Sequence, residues 1–102
     1  MADSEQLKLH ALLLTIAPKA YFQPPSNVKL EYPCIIYRKS GIDTIKANNK
    51  NYSMQSVYQL TVIDRDPASL IPEHILETFT MCNVDTTATT DNLHHTYLTL
   101  FY

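Results

Sequence analysis

The sequence predicts an α+β fold, a small mixed or antiparallel β-sheet with two helices packed on it, in the order α-β-(β)-β-α-β-β. Three observations carry this expectation. A wide apolar face at helical spacing opens the chain, a second and shorter one follows residue 66, and β-branched and aromatic runs alternating with period two lie between and after them. The 102 residues are 45% hydrophobic and 18% charged, which suits a single folded domain over residues 1–102 with one modest core. No internal repeat or low-complexity tract divides it.

The first helix is read in "DSEQLKLHALLLTIA". Leu7, Ala11 and Leu14 share one stripe, with Leu9, Leu12, Leu13 and Ile16 beside it, the pattern of a helix laid on a sheet. Asp3 is placed to cap it, with Gln6 at the reciprocal capping-box position. The helix is expected to end at Ala17, because Pro18 disfavours helical geometry in the residue before it. The proline-punctuated "KAYFQPPSNVKLEYP" reads as an extended connector anchored by Tyr21 and Phe22.

"PCIIYR", residues 33–38, reads as a buried strand with its proline where no ladder hydrogen bond is lost. The stretch "KSGIDTIKANNKN" holds Gly41, Asn48, Asn49 and Asn51, residues that tolerate left-handed turns, and predicts a hairpin-like excursion with a short strand. From Tyr52 to Ile63, Tyr58, Leu60 and Val62 alternate with Val57, Gln59, Thr61 and Ile63, marking the longest and most central strand. In "DRDPASLIPEHILETF" that strand runs out, and Asp66 or Ser69 is expected to cap a helix. Pro67 suits the first turn under an Asp66 cap, and Pro72 suits it under a Ser69 cap. Ile71, Ile75, Leu76 and Phe79 form its apolar stripe, with Glu73 and Glu77 on the exposed side. A threonine-rich strand, a turn at "TDN" and a last strand "LHHTYLTLFY" complete the chain.

Composition excludes several chemistries. The single glycine, Gly41, rules out a phosphate-cradling or dinucleotide loop, which needs several glycines at fixed spacing. Cys34 and Cys82 are 48 residues apart with no CxxC, so both read as small buried hydrophobes of a reducing compartment. The apolar run "ALLLTIA" is too short to span a bilayer, and the expectation is a soluble protein with no membrane partner. Asp64 and Asp66 point to one side of an extended chain, yet a divalent cation wants six or more oxygens and no further acidic cluster lies near. Capping, with Arg65 as ion-pair partner, is the favoured reading. His94 and His95 face opposite sides of a strand, and His74 reads as a helix-surface residue beside Glu77. No catalytic residue, metal ligand or cofactor is assigned, and the chain is read as not an enzyme.

Charge is more informative. The net formal charge is −2, but residues 1–50 carry seven basic and four acidic side chains, and residues 51–102 carry one basic and six acidic ones. The excursion "YRKSGIDTIKANNK" gathers Arg38, Lys39, Lys46 and Lys50 among tyrosines. Such a mixture can line a single-strand nucleic-acid groove, but the net acidity favours a protein-contacting arm.

Three stretches together, "YPCIIYRKSGIDTIKANNKNY", "YQLTVIDRDPASLIP" and "DNLHHTYLTLFY", resemble a family of small proteins from the structural modules of tailed bacteriophages. These are tail terminators, tail-completion proteins and head–tail joining proteins. The likeness covers roughly residues 30–102 and is most specific at "VIDRDP" with the downstream "DNL". Relatives often carry an arginine or aromatic residue shortly before "DNL", where this chain is threonine-rich. The resemblance implies a structural virion protein that forms a ring, commonly a hexamer, at the head-proximal end of the tail. There it would end tail-tube polymerisation and offer a surface for joining the head. Its implied partners are copies of itself, the tail tube protein and a head-completion or connector protein, with DNA only passing through the lumen. It would be found in the tail and neck of the virion, and in host cytoplasm during assembly. A head-side stopper or adaptor of the same neck region is the alternative, and a small nucleic-acid-binding regulator a more distant one. Ring closure needs heterologous contacts. The residues proposed for them are Arg38, Lys39, Lys46 and Lys50 on one side, and Asp64, Asp66, Glu73 and Glu77 on the other.

Overall fold

The computed structural model describes residues 4–47 and 50–102, and the side chains of residues 5–42 and 55–102. The elements are α1 (Ser4–Ile16), β1 (Lys19–Phe22), β2 (Cys34–Ala47), β3 (Lys50–Asp64), α2 (Ile71–Thr78), β4 (Cys82–Thr90) and β5 (Leu93–Phe101). The five strands form one mixed sheet in the order β1-β2-β3-β5-β4, parallel only between β1 and β2. The α+β class is as the sequence predicts.

Both helices cover one face of the sheet. Alternation sends Ile35 and Tyr37 of β2, Tyr58, Leu60 and Val62 of β3, and Leu98 and Leu100 of β5 to that face, where all are buried. Leu9, Leu13 and Ala17 of the first helical segment, and Ile71, Ile75 and Phe79 of the second, close over them. The other face carries Ile36, Val57, Gln59, Thr61, Tyr97, Thr99 and Phe101, all partly exposed, with Cys34 and Ile63 buried at its base. Neither helix packs on it, although Gln23 and Pro24 border a concavity lined by Ile36, Gln59 and Thr61 of this face.

Four local expectations change. The connector after Pro18 contains strand β1, which pairs with β2 from Lys19↔Cys34 to Phe22↔Tyr37. Gln23, at φ 47°, then turns the chain away from the sheet. The excursion over residues 39–51 is not a separate short strand. It is the distal half of β2 hydrogen-bonded to the start of β3, so Gly41 sits in extended backbone beside a bulge at Ser40 and makes no turn. The roles given to Asn48 and Asn49 lie outside the described residues.

The capping box expected of Asp3 and Gln6 lies outside the described residues with Asp3. Gln6 is buried, and its Nε2 donates to the Tyr37 hydroxyl at 2.8 Å. The stripe of Leu7, Ala11 and Leu14 faces outward, with Leu7 55% and Leu14 47% exposed. The buried stripe is instead residues 6, 10, 13 and 17 with Leu9, which keeps helical spacing but includes two polar side chains.

Finally, α2 begins at Ile71, later than either predicted cap places it, and Leu70 at its N-terminus makes no side-chain cap bond. The aspartates build turns instead. Asp64 Oδ1 accepts from the Asp66 amide at 3.0 Å, Asp66 Oδ1 accepts from the Ala68 amide at 2.9 Å, and Ser69 Oγ accepts from the Ile71 amide at 3.3 Å. Side chains of this type satisfy backbone donors in the stretch before a helix as well as at its cap. Pro72 falls in the first helical turn, where a missing N–H costs no bond.

Candidate functional site

The most conspicuous feature of the molecule is an arm. β2 and β3 pair from Cys34↔Ile63 to Ala47↔Lys50, but β5 accompanies β3 only from Val57 to Asp64, and β1 accompanies β2 only as far as Tyr37. Beyond those limits the two strands continue with no other strand of the described residues beside them. At about 3.3 Å per residue a fifteen-residue strand spans about 50 Å, and the long axis of the molecule is 50 Å against 29 and 22 Å for the others.

The predicted interface residues distribute along this hairpin. Arg38 and Lys39 are exposed on β2, just past the end of β1. Lys46 and Lys50 stand near the arm's tip, where the register pairs Lys46 with Asn51 and Ala47 with Lys50; their side chains lie outside the described residues. Asp64 and Asp66 sit at the opposite end of β3, and Glu73 and Glu77 are exposed on α2. The thirteen residue positions between Asn51 and Asp64 correspond to roughly 40 Å. The basic tip and the acidic base are therefore too far apart to pair within one chain.

Arg65 makes no ion pair with either aspartate; its guanidinium carbon lies 5.6 Å from the Tyr32 ring centroid, in cation–π range. Arg65 follows the last strand residue, and the turn carries it toward the ring while both neighbours bond backbone amides. The two ion pairs among the described residues, Lys8–Glu5 at 3.5 Å and Lys19–Glu31 at 3.6 Å, are both exposed.

A concavity of about 490 Å³ opens where β1 stops beside β2. Gln23, Pro24, Arg38, Lys39, Gln59 and Thr61 line most of it. Gln23 Oε1 accepts from the Lys39 amide at 3.3 Å, so a side chain occupies the place that the carbonyl of a further β1 residue would take. On the far edge of the sheet, β4 is exposed at every residue after Cys82. A bulge between Val84 and Thr86 brings Asp85 within reach of Thr99, whose Oγ1 donates to Asp85 Oδ2 at 2.6 Å. Past it the strand is regular to the Asp91–Asn92 turn, where φ values of 53° and 63° make a two-residue hairpin loop.

Residues with chemistry elsewhere are held in structural roles. Tyr37 is buried, accepts from Gln6, and lies 2.6 Å from His10 Nδ1. The hydroxyl oxygen has two lone pairs and one proton, so it can accept from Gln6 while sharing a hydrogen bond with the His10 ring, whose tautomer sets which partner donates. Burial raises the Tyr37 pKa, and the Gln6 bond offsets this in part, so the phenol stays protonated. Phe22 and Tyr58 pack on its ring at centroid distances of 4.9 and 6.1 Å. This cluster was not foreseen from the sequence. Its one signal was that Gln6 and His10 fall on the same helical stripe as Leu13 and Ala17.

His94 and His95 face apart, as expected: His94 Nδ1 is 3.2 Å from Thr89 Oγ1, and His95 stacks on Tyr97. Among the described residues no three His, Cys, Asp or Glu side chains converge. No helix of the described residues is long and apolar enough to cross a membrane.

Both cysteines are free, and burial raises each thiol to about 11, with Asp85 adding to the effect at Cys82. Two results are expected. At pH 8 the folded chain reacts with a thiol reagent far more slowly than the urea-unfolded chain, because the thiolate is the nucleophile. The native state also holds its thiol protons above the ordinary value of 9.0. Stability is therefore fully present below pH 9 and falls as pH rises from about 9 toward 11, a decline that urea midpoints at each pH measure.

No family model, no curated protein and no solved structure matches this chain.

Proposed function

We propose that this chain is a structural subunit that assembles with copies of itself into a ring at the head-proximal end of a phage tail, where it stops tail-tube growth and presents a surface for joining the head. The observation that carries the reading is the arm. A two-stranded projection has no core of its own to bury and gains most when it lies against another subunit. Three further features support it: the partly exposed sheet face that neither helix covers, the separation of basic arm from acidic base, and the resemblance carried by "VIDRDP" and "DNL". Opposite charge at the two ends favours one surface meeting a different one on the next copy, the contact type that closes rings.

In this reading the subunit catalyses nothing, and its partners are its own copies, the tail tube protein and a head-side connector. The test is assembly. Light scattering and negative-stain images of the purified chain should show concentration-dependent rings, and adding them to polymerising tail tubes should cap growth. Replacing Lys46 and Lys50 together by glutamate should weaken ring formation at least tenfold at low salt and flatten its dependence on ionic strength. Unchanged rings with unchanged salt sensitivity would remove the arm from the contact. A chain that stays monomeric at millimolar concentration and leaves tube length unaltered would overturn the reading.

A further inference from the structure

The sheet ends in two free edges that match each other. On one side β2 runs from Ser40 to Ala47 with β3 as neighbour and, among the described residues, no strand beyond it, the Lys39 amide just before being taken by Gln23 Oε1. On the other, β4 runs nine residues with β5 as its one strand neighbour among the described residues. Exposed edges of this length are templates for strand addition, and proteins that do not use them usually blunt them with lysine or proline. β4 carries neither.

Direction also agrees. β3 is antiparallel to β2, β5 to β3, and β4 to β5, so β4 runs antiparallel to β2. A second copy set beside the first in the same orientation would thus bring its β4 to the outer edge of β2 in antiparallel sense. It would continue the column that β1 begins and leaves after four residues. In that sense the Asp91–Asn92 turn of the incoming hairpin arrives at the end of β1, over the concavity lined by Arg38 and Lys39. Its charge is complementary, since β4 and its turn hold Asp85 and Asp91 and no basic residue, whereas residues 38–50 hold four basic residues against Asp43.

We infer that the β4–β5 hairpin of one copy adds to the free outer edge of β2 in the next, with the Asp91 turn seated at the Arg38–Lys39 concavity, so that the sheet runs continuously from subunit to subunit. The inference rests on the self-assembly in the proposed function and names the surface that makes it. Successive copies would be staggered along the strands by about the length of the arm. A stagger of one sign at every step is what allows tilted strands to close on themselves.

The hairpin geometry supplies a selective probe. In a two-residue hairpin the flanking pair Thr90–Leu93 is hydrogen-bonded, so along the regular part of β4 the groups of Ala88 and Thr90 point to β5 and those of Thr87 and Thr89 point outward. Proline at an outward position removes a donor from the edge and none from the β5 ladder. The Thr87→Pro, Thr89→Pro double variant should keep the far-ultraviolet spectrum of the parent and assemble at least a hundredfold more weakly.

A second experiment does not depend on that variant folding. Ile42 is 62% exposed on the β2 edge and falls about opposite Thr87 in the added register. A chain with Ile42→Cys and a chain with Thr87→Cys, mixed and oxidised, should give a covalent dimer that neither gives alone. The native thiols do not compete near neutral pH, since Cys34 is buried and both thiols are raised to about 11. A dimer from the Thr87→Cys chain alone would mean that β4 pairs with itself, and would overturn the inference. So would rings that form normally in the double-proline variant, or rings in which the mixed pair never cross-links; the ring reading would survive both. A parent chain with no oligomer at any concentration would end both proposals together.

Discussion

Leu60→Ala is expected to lower the stability of the folded chain by about 2–5 kcal/mol, the range for removing a large aliphatic side chain from a packed interior. Leu60 lies on the central strand with Tyr37 and Leu98 beside it in register, and both helices close over that face. The cavity it leaves is bounded by strands held in their ladders on both sides, so little relaxation is available. Against the ~5–15 kcal/mol that holds a typical domain together, the loss would be severe. Leu7→Ala provides the contrast. Leu7 looks equally apolar in the sequence, yet it is more than half exposed, and its removal should change stability by no more than about 0.5 kcal/mol in the isolated chain. Urea midpoints at unchanged slope measure both. Equal effects would mean that the face of α1 toward the sheet has been assigned wrongly.

The second large effect is expected at Tyr37. Tyr37→Phe keeps the ring that packs on Phe22 and Tyr58 but removes the hydroxyl that joins Gln6 and His10. Gln6 then has a buried amide without its partner, and a group stranded in this way costs about 1–3 kcal/mol. His10 is only partly buried and can turn to water, so most of the loss should come through Gln6. Gln6→Leu in the Tyr37→Phe background should restore part of it, because removing both polar partners is much cheaper than removing one. The coupling energy from the four chains, measured by urea unfolding, checks this. A coupling near zero would mean that the Gln6–Tyr37 bond contributes nothing to stability.

The fold was largely legible in the linear pattern, and its lapses have identifiable causes. Period two in residues 57–63 and 97–102 located the central strands and the face each residue takes, because successive side chains on a strand must alternate. "TDN" marked the β4–β5 turn through residues that accept positive φ. Strand β1 was missed since "KAYF" is four residues long between prolines, and pairing with β2, not local preference, makes it a strand. The arm reads in the sequence as a hairpin-like excursion with only a short strand, because Gly41 and three asparagines signal turns, whereas the ladder with β3 holds Gly41 extended and carries β2 through to Ala47. Asp66 and Ser69 are the punctuation the sequence suggests, but Asp66 satisfies the Ala68 amide in the approach to α2, and Ser69 bonds the first amide of the helix, Ile71, from one residue before the N-cap position at Leu70.

The candidate interface was legible as charge and illegible as geometry. Arg38, Lys39, Lys46 and Lys50 stand out in the sequence by number, and nothing there says that an open strand edge runs among them or that β4 is the opposite edge. The alternation of side chains by itself determined that this chain makes a helix-covered sheet with its core on one face, since burial of apolar periodicity admits few other solutions. Which rotation of α1 meets the sheet, how far β2 and β3 outrun their neighbours, and which strands are left at the margins were decided only by tertiary structure. Those outcomes depend on contacts between residues tens of positions apart, whose free energies no local stretch of sequence contains.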